Sequence, residues 1–468
     1  MADIISYTVP VGGENTTYYF GDEQLQDRVQ DLKDYIGMDF YDDDVIGIEV
    51  DFDNNIFTRL SAGIGKNGGS DFNVFPTYAG MRRCVLADDG TVVAYYGEQR
   101  YVEDGSTGQV MVEIPKFYYR MIPLSLEKQT QEYSSDTNRL GYHIRKARWY
   151  IASTPHTGFR THPLFIKPDG TERDKVYVSA YEGCIYDVSE STYLLNDEQV
   201  ADFITGTGDK LSSIAGAYPC SGKSRSLYLS HARVIAHNRG TGWQVLTIKA
   251  LAAVQLLCAI EYASFNWQSS ISEGVVNIKL YDSNYASKTG STSTLGNSTG
   301  RAASTIDYNG TEQTAENLCS NSYRGIENFF GNMKKLVDGA NLWGDGTMDG
   351  GTVYICMDED YVSSKRTDNY VGCGFTITNR LNNYIKYFGY GEEQFDWLFL
   401  PSRVGSGATS ALPVGDAPYQ SADVNSDRVL IFGGSWSYGT GAGGHCWSMV
   451  YTPTSYDYSI GARLVYLG

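Results

Sequence analysis

The chain has 468 residues with a formal net charge of −18 and an isoelectric point of about 4.8. An acidic surface of that size excludes nucleic acid and anionic membrane as partners, because both require basic patches. Hydrophobic residues make up 42%, enough for a true core, and 37 Tyr against 18 Phe implies many aromatics with a hydroxyl at the surface or at an interface.

The N-terminus, MADIISYTVPVGG, carries neither a basic region nor an apolar core of a leader, so no signal peptide is expected. No apolar run is long enough to span a membrane, and no membrane insertion is expected. Residues 1–20 read as extended. Asp22 to Ile36 reads as an amphipathic helix with Leu25, Val29, Leu32 and Ile36 on one face, Asp22 as its N-cap and Gly37 as its C-cap. Such a piece cannot bury a core alone, so residues 1–44 are assigned to attachment or oligomerisation.

From Asp44 onward the texture is β-rich. VIGIEVDF and NNIFTRLSAG read as two strands around an Asp53-Asn54-Asn55 turn. Further strands follow in GTVVAYYG, QVMVEIPKFYYRM, RWYIAS and KVYVSAYEGCIYD. Residues 195–205 suggest a weak helix. Thr241 to Ser264 predicts a helix buried on most sides, with Thr247 capping its start and Leu251, Val254, Leu257, Cys258 and Ile260 facing the core. A short helix is predicted over Gly325–Val337, and a long surface loop over 281–312, where Ser, Thr, Asn and Gly dominate. No repeat of fixed period is present. The chain divides at this level into 1–44, a β-rich first part of the main domain over 45–230, and a core over 231–468.

Chemical motifs are sparse. The eight cysteines form no CxxC pair and read as reduced, mostly buried thiols. His143, His156 and His162 near Arg160 lack the spacing of metal ligands and read as loop histidines; His231 and His237, six apart, fit one face of a strand. Acidic clusters occur at 42–44, at 358–360, and in WGDGTMDGG. In the last, Asp345 and Asp349 leave a structural calcium ion as the one metal to consider against a solvated turn. No nucleophile elbow, zinc-protease helix, phosphate loop or dinucleotide fingerprint is present, and no catalytic residue is assigned. Trp243, Trp343, Trp397, Trp436 and Trp447 fall in the second half and read mostly as core.

The final forty residues are the most informative. Gly433-Gly434-Ser435-Trp436 and Ile460-Gly461-Ala462-Arg463-Leu464 bracket a Gly-, Ser-, Thr- and Tyr-rich stretch with no hydrophobic period. Together with RGIENFFGNMKKLVDG at 324–339, these phrases resemble the C-type-lectin-like fold shared by formylglycine-generating enzymes and by the variable proteins of diversity-generating retroelements. VIGIEVDFDNNIFTRL, FPTYAGMRRCVLADDGTVVAYYG and GQVMVEIPKFYYR are similar to tail or fibre proteins of bacteriophages.

The resemblance implies an α+β, C-type-lectin-like domain with β-rich insertions and a small N-terminal segment. It implies a virion protein that binds a host-surface protein or glycan through its C-terminal face. It further implies contacts with other virion proteins and, by analogy with fibres, a homotrimer. The structural frame is assigned to Gly433, Gly434, Trp436, Ile460, Gly461 and Arg463, the guanidinium of Arg463 satisfying buried carbonyls. Ligand binding is assigned to Tyr438, Thr440, His445, Ser448, Tyr451, Thr452, Tyr456 and Tyr458, whose types fall within the set reachable by adenine mutagenesis of Asn-type codons. Enzymes of the resembled group carry two cysteines in this segment to bind copper; here Cys446 is alone, so no resident cofactor is expected. A structural decoration protein of the virion and a metal-dependent oxidase are the competing readings, and a glycan depolymerase is a weaker one.

Overall fold

The computed structural model describes residues 5–11, 14–20, 43–130, 139–196, 201–222, 227–278, 285–308, 311–344, 351–363, 368–378, 383–405, 412–420 and 425–468. The helix expected at 22–36 and the acidic turn with Asp345 and Asp349 lie outside them. Ile5–Val11 and Glu14–Phe20 pair as an antiparallel hairpin, as extended reading of the first twenty residues requires.

Strand is far commoner than helix among the described residues. Three large sheets carry the fold. In the first, Tyr142–Ala152 pairs with Tyr118–Lys128, with Tyr384–Tyr390 and with Ile46–Asp51. Ile46–Asp51 continues into Ile56–Ser61 through a turn in which Asp51 Oδ1 accepts the Asp53 and Asn54 amides at 3.1 and 3.0 Å. The second runs Trp243–Val245, Leu464–Tyr466, Lys175–Ser179, Gln109–Pro115, Arg82–Leu86 and Val92–Tyr95. The third is centred on Lys334–Gly344 and Asp427–Phe432, with Trp447–Met449 and Pro418–Gln420 on one side and Gly351–Cys356 and Tyr370–Thr376 on the other. Strands from both sides of residue 230 therefore share sheets, and one apolar cluster extends from Ile46 to Leu467. The division between 230 and 231 marks no break in the fold.

Among the described residues two helices exceed two turns, α1 (Leu229–His237) and α2 (Ile248–Tyr262). Helix α2 crosses the centre of the molecule. Its apolar residues recur all round, and Leu251, Val254, Leu257, Cys258 and Ile260 are fully buried. Thr247 caps it by accepting the Ala250 amide at 3.2 Å. At its other end Arg59 donates to the carbonyls of Ile260 and Glu261 at 3.0 and 2.6 Å, which satisfies acceptors that the helix leaves open.

Four local readings of the sequence are corrected. The segment holding His231 and His237 is helix α1, not a strand: Leu229, Ala232, Ile235 and Ala236 bury one helical face, and the His231 ring stacks between Phe203 and Tyr228. Residues 201–204 are not helical. Gly325–Val337 is not a helix either. Arg324, Gly325, Asn328, Gly331 and Asn332 all adopt positive φ between 45° and 90°, which no right-handed helix accommodates. Residues 285–308 are not a surface loop: Tyr285, Ser287, Thr289, Thr292 and Ser304 are buried, and Gly300–Tyr308 pairs with Thr311–Tyr323.

The eight cysteines form no disulfide, and all but Cys319 are buried. Among the described residues no helix is long and apolar enough to cross a membrane.

Candidate functional site: the C-terminal face

The C-terminal segment is held by the irregular stretch Arg324–Lys335. Asn332 is its central clamp. Its side chain accepts the Ser287 amide at 2.6 Å and donates to the Ser287 carbonyl and to Glu182, while its carbonyl accepts the Trp436 amide at 2.9 Å. The Gly331 amide donates to the Gly433 carbonyl at 2.9 Å, and the Gly433 amide to the Cys446 carbonyl at 2.8 Å. Lys334 and Lys335 pair in parallel with Ile460 and Gly461. Both phrases that bracket the segment are thus tied to one stretch of backbone.

Several positions tolerate only one residue type. At Gly434 φ is 72°, and a Cβ would lie 2.9 Å from that of Ala442. At Gly461 a Cβ would lie 2.7 Å from the Cys220 carbonyl oxygen. Trp436 is buried among Tyr285 and Tyr458, with ring centroids 6.5 and 6.1 Å away.

Arg463 is fully buried and faces carbonyls. It donates to Ser179 at 2.7 Å, to Asn328 at 3.2 Å and to Glu327. Burial lowers its guanidinium to about 10, still protonated at neutral pH. Beside it Lys335 reaches Glu182 at 2.9 Å and the Gly331 carbonyl at 2.6 Å; burial lowers its ammonium to about 8, with Glu182 opposing the shift. These groups cross-link the ends of four segments beneath the surface.

Between the brackets the chain surfaces, dives and surfaces again. Ser437 to Thr440 lie at the surface; Gly441 to Met449 are buried; Val450 to Tyr458 return outward. His445 and Ser448, assigned to ligand binding from the sequence, are therefore interior residues. The His445 ring is enclosed by Phe265, Phe388, Phe399 and Trp267 at 5.1–6.5 Å between centroids. Neither ring nitrogen has a hydrogen-bond partner, Nδ1 lying 3.9 Å from Asp416, and burial holds the imidazole neutral, its pKa lowered to about 3. Ser448 sits inside the third sheet, paired with Ile431 and Tyr419. The reason is the strand Trp447–Met449, which draws this part of a polar-looking loop into a sheet. Cys446 is buried as well, and burial pushes its thiol up, away from the thiolate that a metal ligand requires.

The other six assigned residues reach the surface. Thr440, Thr452 and Tyr456 are exposed, Tyr456 by 53%. Tyr438, Tyr451 and Tyr458 are half-buried, each with part of its ring fixed. Lys334 joins two of them: its ammonium donates to the Tyr451 hydroxyl at 3.2 Å and lies 5.3 and 5.5 Å from the ring centres of Tyr438 and Tyr451. Tyr384 reaches Thr440 at 3.5 Å. Thr452 and Ser455 close a turn through paired hydroxyl and backbone bonds. Lys334 and Tyr384 escaped the sequence reading because one lay in the supposed helix and the other far upstream.

The remaining sequence candidates disperse. His143 bonds Ser402 at 2.9 Å, His156 bonds Asp44 at 2.8 Å, and His162 caps a turn by accepting the Leu164 amide. Among the described residues no group of three His, Cys, Asp or Glu side chains is placed to hold a metal ion.

No protein-family model matches the chain, and no curated protein matches it. Among solved structures, similarity is found to three variants of one protein. The Major Tropism Determinant P3c variant is 11% identical, with 83% of this chain and 72% of that chain covered at a TM-score of 0.23. The I1 variant is 11% identical over 82% and 71%, and the U1 variant 10% identical over 82% and 71%, each at a TM-score of 0.24. Likeness at that level carries no argument about fold or function, and the site stands on its own geometry.

Proposed function

We propose that the chain is a bacteriophage tail or fibre protein whose C-type-lectin-like domain binds a host-surface protein or glycan through the Tyr-rich C-terminal face, without catalysis. One observation carries the reading. A short polar segment that reads as an unstructured loop is held at both ends by buried backbone clamps, and it brings Tyr438, Tyr451, Tyr456 and Tyr458 to the surface, the first two beside Lys334. Tyr supplies large contact area at low entropic cost, and Thr and Ser adapt around it. The resemblance of the frame phrases to retroelement variable proteins supports the same reading.

Diversification, where it operates, is confined by burial. Burial constrains the exposed Thr440, Thr452 and Tyr456 least and the half-buried Tyr438, Tyr451 and Tyr458 more, whereas His445 and Ser448 are held by the core. A reverse-transcriptase gene nearby and a near-copy of the 433–464 codons differing only at adenines would establish the mechanism; variation concentrated at His445 and Ser448 would contradict it.

The binding face is tested by replacing Tyr451, Tyr456 and Tyr458 together with Ala and measuring adsorption of purified protein to a panel of bacterial cells. Adsorption by the wild type and at least a ~10-fold loss in a variant of unchanged thermal stability is expected. Equal adsorption would reject this face.

A further inference from the structure

A groove of about 450 Å³ lies between Tyr118–Lys128, Gly351–Cys356 and the first turn of α2. None of its lining residues belongs to the C-terminal segment. Its walls are mostly apolar: Tyr119, Ile166, Ile355, Met357, Phe395 and Trp397. Met357 and Ile166 remain 42% and 37% exposed over it, although both are large apolar side chains.

The charges in the lining are accounted for, with one exception. Arg160 is paired with Asp396 and donates to the Glu393 carbonyl at 3.0 Å. Glu172 accepts from Lys116 at 3.1 Å and from Thr161 at 2.6 Å. Lys249 is the exception. It is 8% exposed, and among the described residues no hydrogen bond or ion pair reaches its ammonium. Asp358 and Glu359 act on it only from a distance, and Glu359 is already held by Arg173 at 2.8 Å. Lys249 also stands in the first turn of a 15-residue helix, where the positive end of the helix dipole opposes a cation. An ammonium that opens into a mostly apolar groove at that end of a helix, with no carboxylate bonded to it, favours an anionic ligand there.

We propose that this groove binds a small organic carboxylate with an apolar body, the carboxylate on Lys249 and the body along Trp397, Phe395 and Met357. The walls offer few hydroxyl or amide partners, which disfavours a sugar acid, and the single uncompensated charge selects a monoanion. A charge-assisted hydrogen bond in a partly dry site favours the anion over its neutral analogue.

The experiment titrates the full chain with octanoate and with octanamide by calorimetry, following intrinsic Trp fluorescence in parallel, with Trp397→Phe to isolate the Trp397 contribution. Saturable octanoate binding at least ~10-fold tighter than octanamide is expected. Lys249→Met keeps the apolar stem and is expected to erase that preference. Met357→Glu removes apolar wall for both probes and adds a like charge for one, so it is expected to weaken octanoate by a larger factor than octanamide, which keeps the proposal testable if the buried substitution fails to fold. Equal binding of the two probes, absence of saturable octanoate binding (as when another protein surface covers the groove), or unaltered octanoate binding in Lys249→Met overturns it.

Discussion

Asn332 illustrates how single side chains set the C-terminal face. It holds Ser287 and Glu182 with its amide, and Trp436 and Val275 with its backbone, from a left-handed conformation that Asn accepts more readily than most residues. Asn332→Ala leaves the Ser287 amide and a Glu182 oxygen buried without these partners. The expected cost is on the order of 3 kcal/mol, read as a lower urea midpoint at unchanged slope. His162 gives a pH-dependent counterpart. Burial, with a smaller contribution from the Lys249 charge, lowers its pKa to about 3, against an ordinary value of 6.5. Between those values the unfolded chain binds a proton that the folded chain refuses, so the stability contributed by neutral His162 is present above pH 6.5 and is lost as pH falls toward 3. Each pH unit inside that window removes up to about 1.4 kcal/mol. His162→Gln is expected to flatten the stability–pH curve by that slope between pH 6 and 4, measured by urea unfolding against the wild type. An identical slope would show that His162 is protonated in the folded chain.

Elements were legible in the sequence where hydrophobicity alone decides them. Helix α2 combines a mostly apolar run, broken only by Lys249, Gln255 and Glu261, with a Thr cap, and the β-rich run from Asp44 carries its turns in Asp, Asn and Gly. The misread elements are those stabilised by other means. Arg324–Lys335 spaces Ile326, Phe329, Phe330 and Met333 at helical intervals, yet buries them from a chain of left-handed turns; the Gly and Asn at those turns were the available signal. The segment 281–312 read as exposed because interior contacts of its described residues are hydroxyl to hydroxyl, as in Ser304 to Ser320 at 2.9 Å and Ser287 to Ser320 at 3.3 Å. In the candidate site, both brackets and the surface Tyr residues were visible from composition and motif. The burial of His445 and Ser448 was not, because it depends on a three-residue strand joining a sheet formed elsewhere in the chain. The same distinction governs α2. Arg324 and Glu261 form a buried pair at 2.6 and 2.8 Å, binding the misread loop to the end of the legible helix. Arg324→Ala strands the Glu261 carboxylate, and a loss of about 3–5 kcal/mol is expected in urea or thermal unfolding. Replacing both partners with apolar residues of similar size is expected to recover much of it. A double variant no better than Arg324→Ala would mean that Arg324 acts mainly through its contacts with Asn73, Tyr78 and Gly69 rather than through Glu261.

At the scale of the whole molecule, the proposed binding role and the net charge work against each other. The chain carries −18 and a bacterial envelope is itself anionic, so under the proposed function long-range electrostatics would slow the approach that the Tyr-rich face completes at contact. The repulsion acts over the screening length, about 30 Å at 0.01 M salt and about 10 Å at 0.1 M. Adsorption rates are therefore expected to rise with salt between those concentrations, opposite to a protein steered by basic patches. A single shallow face of this kind gives modest affinity, in the range of about 1 μM to 1 mM, and several tethered copies raise the avidity by about 10²–10⁴ without new contacts. The two effects are separable. Protein immobilised in many copies on beads and the same protein free in solution are compared for adsorption at low and moderate salt, with the Tyr451, Tyr456 and Tyr458 triple Ala variant as control. Multimeric display is expected to slow release, and added salt to speed capture, each only while the tyrosines are present. Capture that falls as salt rises would mean that a cationic patch, and not the C-terminal tyrosines, makes first contact with the cell.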